Sequence, residues 1–331
     1  MPDFPWPAGA ATGLGSLPGT DIAEAQRLVL GELPDLPHLA ELPERGPGAD
    51  IIGRGAGLLV DLPVQLYAGQ WQVARRPGAD LRRAADFWER DLDQVTEQCD
   101  GYAGVLKLQA AGPWTLAGSI DLPIGGRVLR DRGAVRDLTD SLAEGLRRHV
   151  AEVRKRVPRA SVLLQLDEPM LPAVVAGRVR TESGLSAYPA VEHADAAAAV
   201  RAVVEAAGAP VVVHCCAADV PLDVVRDANA AGVALDLSLL SDLDPLGEAL
   251  DAGLGLFAGA VATRPSGGRA PTSVQVADRV RTLWTRLGFP VGRLAAQVVV
   301  TPACGLAGAP DRYVRAVLAA CRDAGRRLAE V

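Results

Sequence analysis

The sequence predicts an α/β fold, a single (β/α)8 TIM barrel spanning residues 1–331 with its active site at the C-terminal ends of the strands, on three observations. Short apolar runs alternate with longer amphipathic ones, the pattern of a parallel sheet with crossover helices. The central runs are almost wholly Val, Leu and Ile, as strands covered on both faces require. Polar residues gather at the C-terminal tips of many different runs, and no Gly-x-Gly-x-x-Gly follows the first, which favours a barrel over a dinucleotide-binding sheet.

In chain order, "ATGLGSLPGT" near the start reads as a first strand, and "GVLKLQAAGPWT" (104–115) leads to a helical pattern over 133–157. "ASVLLQLDEP" (160–169) leads to the helix 196–208, and "APVVVHCC" (209–216) to the helical run 221–232. "VALDLSLL" (233–240), the helical run 245–253, "LGLFAGAV" (254–261) and the helix 273–288 follow. "AAQVVVTPACG" (295–305) precedes a final helix from Pro310 to Leu328. The β-type runs number about six or seven by this periodicity. The loop "TRPSGGRAPT" (263–272) sits between a strand and its helix and reads as an active-site loop. No Pro-, Gly- or Ser-rich linker divides the chain, so one domain is expected.

Composition narrows the function. The chain is 49% hydrophobic and 22% charged, enough for a large core. Its formal net charge is −6 with Lys and Arg dispersed, which excludes a nucleic-acid footprint. The start "MPDFPWPAGAATG" has no basic-then-apolar signal and no long apolar run occurs elsewhere, so no membrane partner and a cytoplasmic location are expected. Five cysteines at irregular spacings do not form a disulfide framework and are expected to be reduced. Cys99 and Cys321 fall in helical patterns and read as structural.

In a strand, residues two apart share a face, so His214 and Cys216 project together while Cys215 points the other way. Imidazole and thiolate are common zinc ligands, and Cys304, just after the last strong strand, supplies a third. The same residues also read as a satisfied core histidine and small buried thiols closing an apolar strand. "LLQLDEPML" ends an apolar strand in Asp167 and Glu168, which point to opposite faces, so at most one enters the barrel mouth while the other caps or pairs nearby, or both are a solvated strand end. Gly15 and Ser16 lie in a tight glycine-bounded turn whose backbone N–H groups can approach a carboxylate. Trp114, beside a Gly-Pro turn, reads as packing more readily than as a ligand platform.

In this order "GLGSLPGT", "AAGPWTL", "QLDEP", "VVHCC" and "TPACGL" resemble the cobalamin-independent methionine synthase family, specifically its C-terminal catalytic barrel, over residues 12 to 325. The resemblance implies a (β/α)8 barrel, shared with uroporphyrinogen decarboxylases, that binds Zn2+ through His214, Cys216 and Cys304 and activates the thiol of homocysteine for methylation to methionine. It also implies that Gly15 and Ser16 hold the substrate carboxylate and that Asp167, at the catalytic site, binds the ammonium. A further acidic substrate residue falls in "ELPERG", as Glu41 or Glu44.

Departures from the family pattern shape the expected activity. The family's fourth zinc ligand is a glutamate on the next strand, where this chain offers Asp236. Gly118 stands where the family has its folate-stacking tryptophan, and Thr263-Arg264 stands where the family has a loop histidine. The 331 residues leave no length for the family's second, N-terminal barrel. The expectation is therefore a zinc-dependent thiol methyltransferase whose donor is not polyglutamated methyltetrahydrofolate, with a methylated corrinoid or corrinoid protein as one such donor. Two other readings stand beside it: a zinc- or thiol-binding barrel without turnover, and a metal-free porphyrin-type decarboxylase. The absence of an Arg-rich early loop speaks against the last.

Overall fold

The computed structural model describes residues 3–265 and 270–330. Residues 266–269 of the loop read as an active-site loop lie outside the described residues. Six strands form one parallel sheet in sequential order: β3 (Val105–Ala111), β4 (Ser161–Asp167), β5 (Val211–Cys215), β6 (Gly232–Asp236), β7 (Gly255–Val261) and β8 (Val298–Pro302). Before them, β1 (Val64–Tyr67) and β2 (Gln70–Val73) make an antiparallel hairpin that the sequence reading missed. Its two-residue turn, Ala68-Gly69, has positive φ at both positions (48° and 84°), as a tight hairpin requires.

A barrel of eight parallel strands was expected, and the parallel sheet has six. The run "ATGLGSLPGT" and a segment around 36–41 are not strands but make isolated parallel bridges, Ala11 to Val300, Ser16 to Glu41 and His38 to Lys107, between the ends of the sheet at β8 and β3. Local chemistry explains the interruption. Gly15 sits at φ +115°, outside the extended region, and Pro37 has no N–H to give to a ladder. The bridges still carry real bonds, including Thr12 N to Val300 O at 3.1 Å, Leu17 N to Glu41 O at 2.9 Å and Leu39 N to Lys107 O at 2.9 Å.

Helices follow the strands close to the expected spans at Arg132–Arg156 after β3, His193–Ala207 after β4, Asp244–Asp251 after β6, Ser273–Arg286 after β7 and Asp311–Ala329 after β8, but the run expected over 221–232 forms a helix only over Leu222–Asp227. The expected strand over 233–240 is shorter. Asp236 accepts from Ser238 N (2.8 Å) and Ser238 Oγ (2.6 Å), and this side-chain turn converts Leu237–Leu239 into a 3-10 helix. No described helix is long and apolar enough to cross a membrane.

Strand alternation sorts side chains into two layers. Val162, Leu164, Leu166, Val211, Val213, Val233, Leu235, Leu256, Ala258, Val298 and Val300 join the large cluster that includes the helices. The opposite face forms a small inner cluster of Leu163, Val212, Ala234, Phe257 and Val299, closed by Trp6 from the N-terminal segment. Trp6 meets Phe257 edge-on at 4.9 Å and fits because Gly255 has no side chain: a Cβ there would lie 2.2 Å from the indole. Along the inner face, each apolar layer gives way toward the strand C-termini to polar residues at the same parity. Lys107 and Gln109 follow Val105, Gln165 and Asp167 follow Leu163, and His214 follows Val212. The inner face is apolar at one end and chemically armed at the other.

Candidate metal centre and substrate pocket

The parity that puts Val212 inside puts His214 inside, two residues nearer the end of β5. Cys216 lies one residue beyond β5, and Cys304 two residues beyond β8. Ligand atoms of His214, Cys216 and Cys304 all lie within 4.8 Å of one another, and the two Sγ atoms are 2.7 Å apart. His214 is 5% exposed, and its Nδ1 bonds Asp167 Oδ1 at 2.6 Å. Its other ring nitrogen, Nε2, is buried with no hydrogen-bond partner among the described residues. A buried imidazole nitrogen is satisfied by a proton with an acceptor or by a metal, and two thiols beside it complete a donor set that suits zinc. The residues present therefore fit the metal that the sequence implies.

Charge is already arranged for such a site. Burial pulls the His214 pKa down, but Asp167 and then Cys304 outweigh it and raise the pKa to about 9, so near neutral pH a metal at Nε2 takes the place of a proton. Cys304 is lowered to about 5, first by the hydrogen bond from Cys216 and then by His214, while Cys216 is pushed up by the same contact and by burial. Cys215 is fully buried and stands outside the three-residue cluster, with burial pushing its thiol up to about 12. Cys99 and Cys321 are buried, the first at the end of helix Ala79–Gln98 and the second within Asp311–Ala329.

Asp236 shares the inner parity of Ala234 and comes one register step after the Cys215–Leu235 pair, which places it beside Cys216. Its Oδ1 is committed to Ser238, and it is not in the clustered donor set. Thr263 and Arg264 lie in the loop after β7, where Arg264 is exposed and its guanidinium approaches Gly308.

The Gly15-Ser16 turn is drawn against the metal-side loop. Leu306 N donates to Ser16 O at 2.7 Å, and a Cβ on Gly305 would fall 2.0 Å from Ser16 Oγ, so only glycine lets Cys304 and Ser16 come this close. Gly15 is held open in the same way by the Glu41 carboxylate, whose Oε2 lies 3.0 Å from where its Cβ would be. Glu41 is 8% exposed, accepts from Arg54 Nε at 3.2 Å, and is raised to about 7 by burial. Glu44 is exposed in the short 3-10 helix Pro43–Arg45.

The two carboxylates of "DEP" separate. Asp167 turns inward to His214 and Gln165. Glu168 is fully buried and accepts from Trp114 N (2.9 Å), Thr115 N (2.7 Å) and Thr115 Oγ1 (2.7 Å), which fastens the start of helix Pro113–Ala117 to β4. Gly112 must lack a side chain there, since its Cβ would meet Glu168 Oε1 at 2.4 Å. Trp114 is buried and donates from Nε1 to Ala196 O at 3.0 Å, a packing contact with helix His193–Ala207. Gly118 lines a separate cavity of about 510 Å³ with Met170, Ile52, Leu66 and Trp71 of the hairpin.

Sequence reasoning did not single out Lys107, Gln109, Gln165, Arg54 and Asp91. The first three were visible in principle: polar residues at period two inside otherwise apolar strands, "LKLQ" and "LQLD", mark an inner polar face. Arg54 and Asp91 meet at 2.6 Å from two different helices, a pairing that no local pattern announces.

Comparison with known proteins bears on the fold and the family. A solved structure of a B12-independent methionine synthase from Shewanella sp. W3-18-1, in complex with selenomethionine, shares the fold at a TM-score of 0.61 and 14% identity, covering 98% of both chains. A putative dihydrodipicolinate synthetase from Pseudomonas aeruginosa is far less similar, at a TM-score of 0.38 and 11% identity over 96% of this chain and 80% of that one. No curated protein matches. The family model of the cobalamin-independent synthase catalytic domain matches residues 9–327. With that match spanning nearly its whole length, the chain belongs to the cobalamin-independent methionine synthase catalytic-domain family.

Proposed function

We propose that residues 1–331 form one catalytic domain, a (β/α)8 barrel with two interrupted strands, that transfers a methyl group to the thiol of homocysteine or a close relative. The observation that carries the proposal is the convergence of His214, Cys216 and Cys304, with a buried, unpartnered Nε2, at the C-terminal end of the sheet. These three residues would hold zinc, with Asp236 joining only if its carboxylate leaves Ser238. Zinc, when bound, lowers the pKa of a coordinated thiol and holds it as the nucleophilic thiolate.

The protein groups have distinct tasks in this reading. The backbone at Gly15 and Ser16, drawn against Gly305 and Leu306, receives the substrate carboxylate beside Cys304. Asp167 spends Oδ1 on Gln165 and His214, and those contacts do not use Oδ2, which is the acceptor for the substrate ammonium. Glu41, buried next to Ser16, is the second acidic contact, while exposed Glu44 has no part. Together these groups match a zwitterionic thiol amino acid. The donor in this reading is a methyl carrier other than polyglutamated methyltetrahydrofolate, because Gly118 offers no stacking surface and Thr263-Arg264 replaces the family's loop histidine.

The test is zinc quantification of the purified protein, followed by a methyl-transfer assay with homocysteine. The donor panel contains mono- and triglutamyl methyltetrahydrofolate and a methylcorrinoid. Stoichiometric zinc and methionine formation from one donor are expected. Activity that survives complete metal removal overturns the zinc mechanism, and homocysteine binding without turnover on any donor favours a binding barrel instead.

A further inference from the structure

A buried lysine stands at the root of the metal site and is not used by the reading above. Lys107 is fully buried on the inner face of β3 and makes no ion pair among the described residues; its ammonium instead meets two amide oxygens, Gln165 Oε1 at 2.6 Å and Gln109 Oε1 at 3.2 Å. Burial lowers its pKa to about 7, with Asp167 and Glu41 acting in the opposite direction.

An ammonium only donates, so each glutamine must turn its oxygen toward Nζ and its NH2 group away. For Gln109 the NH2 then reaches Leu39 O at 2.7 Å. For Gln165 it reaches Asp167 Oδ1 at 2.7 Å and Leu14 O at 3.2 Å. Asp167 Oδ1 therefore stands between two donors, Gln165 Nε2 and His214 Nδ1 at 2.6 Å. Because an ionised carboxylate only accepts, this bond keeps a proton on His214 Nδ1, so Nε2 is the nitrogen that exchanges its proton for a metal. A reversed Gln165 amide would set its oxygen against the Asp167 carboxylate and release the ring.

We propose that Lys107 and Gln165 are positioning residues for the metal site: the lysine fixes the direction of the Gln165 amide, and the amide fixes Asp167 and, through it, the His214 nitrogen presented to zinc. The inference rests on the zinc reading for its consequence, but the chain of donors and acceptors exists without metal. Removing the direct partner of a metal-binding histidine, here Asp167, changes metal affinity by about 10–100-fold, and Gln165 and Lys107 act one and two hydrogen bonds further out.

Three measurements test it. In metal-free wild type carrying 15N-labelled histidine, His214 should show an Nδ1-bound proton protected from solvent exchange; an unprotected or absent Nδ1 proton overturns the relay before any variant is made. In Gln165→Glu and Lys107→Met proteins whose thermal melts remain cooperative, that protection should be lost and zinc affinity, measured by chelator competition, should fall by up to about tenfold, the low end of what a direct partner contributes. Glu at 165 still faces Lys107 but cannot donate to Asp167, so it separates the relay from simple filling of the inner face. Folded variants that keep both the protected proton and wild-type zinc affinity overturn the proposal. If wild type binds no zinc, the metal reading fails, and the Nδ1 proton still decides whether the relay exists.

Discussion

The adjacent cysteines at 215 and 216 have opposite fates. Strand alternation sends Cys216 toward His214 and Cys304, and leaves Cys215 fully buried outside the donor cluster, where burial disfavours its thiolate. Cys304→Ser should therefore lose most bound zinc, whereas Cys215→Ser should keep it; equal loss from both, read by elemental analysis after dialysis, would refute the alternation argument. The pair was legible in the sequence because the apolar run "VVVHCC" fixes the parity. The engagement of Asp236 was not, since nothing in "VALDLSLL" shows that its carboxylate turns back onto Ser238. A short side chain that can satisfy a nearby backbone N–H does so locally, and that competition is settled only by the fold.

Between elements, the proposed site rests on an ion-pair chain that joins two helices to Glu41. Asp91, fully buried on helix Ala79–Gln98, binds Arg45 through both oxygens (2.6 and 2.9 Å) and Arg54 of helix Ile51–Leu58 at 2.6 Å. Arg54 in turn reaches Glu41 Oε1 at 3.2 Å and lies over the Trp88 ring at 3.8 Å. Two buried guanidinium groups lose their shared carboxylate in Asp91→Ala, and uncompensated buried charge of this kind destabilises by about 3–5 kcal/mol. Urea denaturation should show a loss of that size, together with a raised KM for the thiol amino acid as Arg54 no longer fixes Glu41. A loss under about 1 kcal/mol would mean that solvent reaches and screens the pair. The sequence predicted a crossover helix after each strand from residue 104 onward, yet these two helices and the β1–β2 hairpin went unread. Their residues carry ordinary amphipathic patterns, and their partners are distant in sequence: Arg54 and Asp91 are 37 residues apart.

Across the whole molecule, the order of apolar and polar layers along the inner face does most to place function at one end, and this much could be read from the sequence as polar residues at strand tips. The interrupted first strands could not, because bridging through Gly15 and past Pro37 depends on the closure of β8 toward β3. The same global packing sets how the fold responds to acid. His149, on helix Arg132–Arg156, is buried edge-on against Trp88 with ring centroids 4.4 Å apart, and its Nε2 has no partner among the described residues. Burial, then Arg54 and Arg156, lowers its pKa from 6.5 to about 3, against a smaller opposing effect of Glu152. Between those values the unfolded chain binds a proton that the native state refuses, so this histidine removes stability as pH falls from 6.5 and stops doing so near 3. Glu41 and Glu168, both raised to about 7, act with the opposite sign: the native state holds their protons between about 4.5 and 7, so their contribution to stability declines as pH rises through that window. The overall pH profile therefore hides the histidine, and a difference measurement exposes it. His149→Phe keeps the aromatic contact with Trp88 and removes the proton site. Its stability relative to wild type should improve by about 1.4 kcal/mol for each pH unit below 6.5. Urea melts of both proteins at pH 7, 6 and 5 measure this, and a stability difference that does not change with pH would show that His149 takes up its proton in the folded state.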